Sequence, residues 1–130
     1  MKRRIQQYLT TRWPAIIWSV IIFILLAMPP VDLGTKPTIE LSGFDKLVHF
    51  FLFGMMTWLW GYRQNRLAAP KKLSRQRVLM IVAIATAYGV VMEYVQRWVG
   101  RDFDVWDMVA DAAGAIVVGI WLLLKKRRPW

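Results

Sequence analysis

The chain has no cysteine, one histidine, and eight acidic residues against 18 Lys and Arg in 130 positions. Without cysteine there is no disulfide framework, no thiolate zinc site and no cysteine nucleophile. A G-x-S-x-G nucleophile elbow is missing too. Charged residues are only 20%, whereas hydrophobic ones reach 57% and mean hydropathy is +0.36. A soluble domain of this size keeps a larger polar share to cover its surface, and the aliphatic and aromatic load excludes disorder. The length allows one domain, residues 1–130. A net charge of +10 would suit nucleic acid, but the cations punctuate apolar runs. The most basic loop, 63–77, lacks the aromatic–basic interleaving that base stacking needs. The composition is that of a small polytopic membrane protein.

Four apolar stretches predict an all-α, four-helix transmembrane bundle: Trp13 to Met28, Leu47 to Tyr62, Val78 to Trp98 and Val105 to Leu124. The last two would each rise roughly 30 Å as helices, the thickness of the hydrocarbon core. Pro29-Pro30 closes the first stretch. The second helix is expected to begin earlier, at Ser42 to Asp45, giving a span of about 45–62. The N-terminal run lacks small residues at a cleavage spacing, so it reads as an uncleaved anchor. Lys2, Arg3, Arg4 and Arg12 precede the first span, Arg63 to Arg77 hold six cations, and Lys125 to Arg128 hold four. The opposite side carries only Lys36, Arg97 and Arg101 between spans, so the positive-inside rule sets N-in and C-in. The basic segments then serve topology and attraction to anionic lipid.

On this map every carboxylate falls on the extracytoplasmic side: Asp32, Glu40, Asp45, Glu93, Asp102, Asp104, Asp107 and Asp111. His49 falls there as well. Asp45 and His49 are i,i+4 and share a helix face. Thr86, Gly89, Glu93, Gln96 and Arg97 share another, and Asp107, Ala110, Asp111, Gly114 and Val118 a third. Carboxylates facing lipid are costly, so these faces are expected to turn inward to one polar pocket, brought close by small residues. Structural readings stand beside the functional ones. Ser42-x-x-Asp45 resembles a capping box, and Asp104 suits an N-cap with Asp107 at N3. Glu93 and Arg97 are spaced for an ion pair, and His49 could lock the bundle through Glu93 or Asp107. Most of the eight tryptophans fall near span ends, as an aromatic belt would.

Taken in order, Asp45-Lys46-x-x-His49, Glu93-x-x-Gln96, Arg101-x-x-Asp104-x-x-Asp107 and Asp111-x-x-Gly114 resemble the pattern of the VanZ-like membrane proteins across about residues 13–124. Asp111 stands where that family often has Asn, and Phe53 where a Tyr commonly follows the His. The resemblance implies a multi-pass protein of the bacterial cytoplasmic membrane, both termini cytoplasmic, associated with low-level resistance to teicoplanin-type lipoglycopeptides.

Two functions fit these residues. The first is binding or shielding of an envelope lipid, a lipid-linked cell-wall precursor or the lipoglycopeptide itself by Asp45, Lys46, His49, Glu93, Gln96, Arg97, Arg101, Asp104, Asp107 and Asp111. Arginine suits bidentate phosphate contact. The second is an intramembrane enzyme acting on such a lipid, with His49, Asp45, Glu93 and Asp107 as acid/base candidates. A divalent-metal site from Asp104, Asp107, Asp111, Glu93 and His49 is allowed by ligand type, but the expectation is structural acids, no metal and no cofactor. No nucleic-acid partner is expected. The inner half of each span lacks polar groups to continue a path, which argues against transport.

Overall fold

The computed structural model describes residues 1–29 and 42–125. Asp32, Lys36 and Glu40, and the tail residues Lys126, Arg127, Arg128 and Trp130, lie outside the described residues. Among the described residues the chain is all-helical: α1 (Lys2–Thr10), α2 (Trp13–Ala27), α3 (Ser42–Ala68), α4 (Arg75–Trp98) and α5 (Val105–Leu124). The boundaries of α5 coincide with the expected span. α4 begins three residues earlier than expected, where the Ser74 hydroxyl accepts from the Arg77 amide at 3.3 Å as an N-cap.

Two expectations need correction. The cations before the first span do not lie in a simple extension of it, since α1 is a separate helix bent 68° from α2. Its Ile5, Tyr8 and Leu9 share one face, flanked by Lys2 and Arg4 with Arg3 opposite, and none of its residues is buried. The supposed loop 63–77 shrinks to 69–74, because α3 continues through Arg63 and Arg66 to Ala68.

Two described helices, α4 and α5, are long and apolar enough to cross a membrane, and the bent pair α1–α2 would make a third. The surface is more apolar, and one part of the interior more charged, than in a soluble domain. Phe23, Ile24, Leu79, Ile84, Val91, Val117 and Ile120 face outward, while His49, Glu93, Gln96, Asp107 and Asp111 are buried. Isolated exposed apolar residues are ordinary, but an apolar coat around a charged interior marks a lipid-facing surface.

α3 is the central helix and packs most extensively against α5, then α4. Phe53, Met56, Met92, Ala85 and Ala115 form the middle of the core with Ile22 and Leu26 from α2. α2 is tied on by two long-range hydrogen bonds. The Trp18 indole donates to the Leu52 carbonyl at 2.9 Å, and the Tyr88 hydroxyl donates to the Ser19 carbonyl at 2.8 Å. The α3–α5 crossing depends on Gly114, where an added Cβ would run into the Phe50 carbonyl oxygen and lie 3.1 Å from the Gly54 nitrogen.

Candidate functional site

The site lies where the N-terminal turns of α3 and α5 meet the last turns of α4. α4 ends in a Schellman motif: Gly100 donates to the Arg97 carbonyl at 3.2 Å, and Arg101 donates to the Gln96 carbonyl at 2.9 Å. Gly100 has φ of +85°, a left-handed backbone that any Cβ would strain. This turn directs Arg101 back over the bundle. Three residues later Asp104 opens α5, its carboxylate accepting from the Trp106 amide at 2.9 Å. The cap reading of Asp104 is therefore right, and Asp107 sits one turn further in.

Asp104 does more than cap. Its backbone amide donates to Glu93 Oε1 at 2.6 Å, joining the α4–α5 turn to α4. Its other carboxylate oxygen accepts from Lys46 Nζ at 2.9 Å, tying α5 to α3. Lys46 also lies 3.6 Å from Asp107 Oδ1. The Lys46 ammonium and the Trp106 amide hold the Asp104 carboxyl below the ordinary aspartate range. A depressed folded pKa stabilises the fold above the unfolded value near 4 and loses that contribution as pH falls through the folded value. Asp104→Asn should therefore lower thermal stability at pH 7, with the gap to wild type closing below about pH 4. A gap of equal size at pH 3 and pH 7 in a thermal unfolding series would contradict the Lys46 pairing.

Beneath this layer is a buried histidine–carboxylate group. His49, Glu93 and Asp111 are each 1% exposed. His49 Nδ1 lies 2.8 Å from Asp111 Oδ1; an ionised Asp111 can only accept there, with the proton on Nδ1. His49 Nε2 lies 3.8 Å from Asp107 Oδ2 and has no hydrogen-bond partner. Asp111 Oδ2 and Glu93 Oε2 are likewise buried without one. Asp45, His49 and Asp107 each offer a ligand atom within 4.8 Å of the others.

Above them opens a cavity of about 320 Å³ lined by Asp45, Lys46, Gln96, Gly100, Arg101, Asp102, Asp104 and Asp107. The structure brings together Asp45, Lys46, His49, Glu93, Gln96, Arg101, Asp104, Asp107 and Asp111, with His49, Glu93 and Asp111 in the layer below the cavity. Arg97 is the exception. It is exposed, does not line the cavity, and makes no ion pair with Glu93, whose Oε1 is taken by the Asp104 amide. The hydrogen-bond partner of His49 is neither Glu93 nor Asp107, whose Oδ2 stands 3.8 Å away, but Asp111, 62 residues on. Asp102 and Gly100 were not anticipated as lining. The glycine between Trp98 and the next helix was the available signal, since C′ glycines terminate helices.

A family model described as VanZ/LLP1 matches residues 3–126. The chain is also similar to uncharacterized protein C11E3.10 of Schizosaccharomyces pombe. The two are 31% identical over 111 residues, which cover 82% of this chain and 64% of the relative. The matched region thus spans less than two thirds of that relative's length. No solved structure matches the chain.

Proposed function

The chain belongs to the VanZ/LLP1 family, and on that premise we propose that it is a membrane protein that binds or shields the head group of an envelope lipid. In this reading α2, α3, α4 and α5 are four spans, both termini are cytoplasmic, and α1 lies along the inner surface. The cavity then opens at the extracytoplasmic face, at head-group depth, flanked by the exposed Trp98 and Trp106.

The observation that carries the reading is the open, mixed-sign cavity with the Arg101 guanidinium on its wall. Arg101 makes no ion pair among the described residues, in contrast to Lys46, which is held by Asp104 and Asp107. An arginine kept at a cavity wall without a carboxylate partner suits a phosphate, which it can grip through two N–H groups. Asp45 and Asp102, also on the wall, suit the hydroxyls or amine that accompany the phosphate in a lipid head group. A lipid-linked wall precursor has the same phosphate chemistry. Shielding it would give the low-level teicoplanin tolerance that the family resemblance implies.

An enzymatic reading has one observation in its favour, the His49–Asp111 pair with its unpartnered Nε2, which is the arrangement of an oriented base. Against it, His49 does not line the cavity, so a head group there would meet Asp107 first.

The test is lipid retention and teicoplanin tolerance at matched membrane levels in a susceptible Gram-positive host. Arg101→Ala should lose both by at least about tenfold in bound lipid, the equivalent of about 1.4 kcal/mol of contact. Arg97→Ala, on the exposed flank, should behave as wild type. Equal retention and tolerance in wild type and Arg101→Ala would sink the reading. A covalently altered lipid formed only by the wild type would favour the enzyme instead.

A further inference from the structure

We propose that Asp45, His49 and Asp107 hold a divalent transition-metal cation, bound through His49 Nε2 and one oxygen of each carboxylate. The three donor atoms come from two helices and lie within 4.8 Å of one another. Donors to a common ion at about 2.1 Å stand roughly 3 to 3.5 Å apart when adjacent. The Nε2 to Asp107 Oδ2 separation is already 3.8 Å, and the Asp45 carboxylate, within 4.8 Å, must turn inward to complete the set.

Three features distinguish this group from a plain acidic cluster. First, His49 is 1% exposed, and its Nε2 has no hydrogen-bond partner although Asp107 Oδ2 lies only 3.8 Å away. Second, the other ring nitrogen is held by Asp111 at 2.8 Å. That is the arrangement in which a buried carboxylate fixes the tautomer of a metal-bound imidazole and raises its basicity. Third, charge is out of balance. Asp45, Glu93, Asp104, Asp107 and Asp111 converge here, against Lys46 and Arg101 as permanent cations. Glu93, Asp107 and Asp111 among them are buried, and a buried carboxylate is expensive unless a cation or a proton neutralises it.

The division of the Asp107 carboxylate fits as well: Oδ1 lies 3.6 Å from Lys46, leaving Oδ2 toward His49. One nitrogen and two oxygens suit zinc or manganese better than calcium, which favours an all-oxygen shell. Asp45 and Asp107 line the cavity, so the open coordination positions face it and can accept a phosphate oxygen. The ion would bind whether or not the cavity takes a lipid.

The test uses untagged full-length protein in detergent, in which His49 is the only imidazole. After dialysis against zinc or manganese chloride, elemental analysis should give about one ion per chain. His49→Gln and Asp107→Asn should each abolish stoichiometric binding. Asp111→Asn should weaken it by about 10- to 100-fold, and Asp102→Asn should leave it unchanged. Cobalt substitution of the wild type should give visible ligand-field bands, which needs no variant to fold. Substoichiometric metal with no cobalt bands would overturn the proposal. So would undiminished binding by a folded His49→Gln. Loss of the ion together with unchanged Arg101-dependent lipid retention would remove the metal alone and leave the head-group reading intact.

Discussion

Replacing Gly114 by alanine is expected to force α3 and α5 apart and to unfold the protein at markedly lower denaturant. The added methyl would fall on the Phe50 carbonyl oxygen and sit 3.0 Å from its carbon. Backbone cannot rotate away as a side chain can, so one helix must shift. Overpacking of this kind costs about 1–3 kcal/mol, and the upper end is expected because the obstacle is main chain. The same shift would move Asp107 and Asp111 on α5 relative to His49 on α3. Gly54→Ala is the internal comparison. Its methyl would lie 3.5 Å from the Gly114 carbonyl oxygen and 3.6 Å from Val118, ordinary contact distances. Alanine's helix propensity, better than glycine's by about 1 kcal/mol, should make that variant neutral or more stable. Denaturant titration of both in one detergent checks the pair. Equal destabilisation would show that the crossing does not rest on Gly114.

The second large effect is expected at the His49–Asp111 pair. Asp111→Leu removes the acceptor held at 2.8 Å from Nδ1 and leaves a buried imidazole facing only Asp107 and Asp45. Breaking a buried charged pair by removing one partner typically costs about 3–5 kcal/mol. Replacing both partners with apolar residues of similar volume is far milder. The double variant His49→Leu, Asp111→Leu should therefore regain much of the stability lost in Asp111→Leu. It should nevertheless fail to bind the metal ion proposed for His49. If the double variant is as unstable as the sum of the singles, the pair is not a coupled unit. If it still binds the ion, the pair is structural only.

The particulars show which information a linear chain carries. α5 was readable to the residue because its apolar run, its capping Asp104 and its flanking charges all change at the same places. α3 was readable at its start but not its end. Hydropathy reports where hydrocarbon would stop, at Tyr62, whereas the helix runs on through Arg63, Gln64 and Arg66, all good helix formers. α1 was hidden for a related reason. Its cations served the topology argument, and the Ile5, Tyr8, Leu9 stripe is too short to stand out. In the site, residue types and their shared helix faces gave the composition of the polar interior. Pairing within it is tertiary. The i,i+4 rule pointed from His49 to Asp45, but the hydrogen bond goes to Asp111 because α5 crosses α3 at Gly114, one turn below. Arg97 was assigned to the polar face by spacing. The final turn of α4 instead leaves it exposed, and the Asp104 amide takes Glu93 Oε1.

The absence of cysteine permits the most direct test of the central claim, a polar cavity that opens at the extracytoplasmic face of a membrane bundle. Single cysteines would be placed at exposed Asp102 on the cavity wall and at exposed Ala69 in the α3–α4 turn. Intact cells would then be treated with a membrane-impermeant maleimide. Labelling of Asp102→Cys in intact cells, with Ala69→Cys labelled only after the membrane is opened, is the expected result. Labelling of Ala69→Cys from outside with Asp102→Cys protected would reverse the orientation and contradict an envelope-facing site. Equal labelling of both positions in intact cells would contradict the membrane bundle itself.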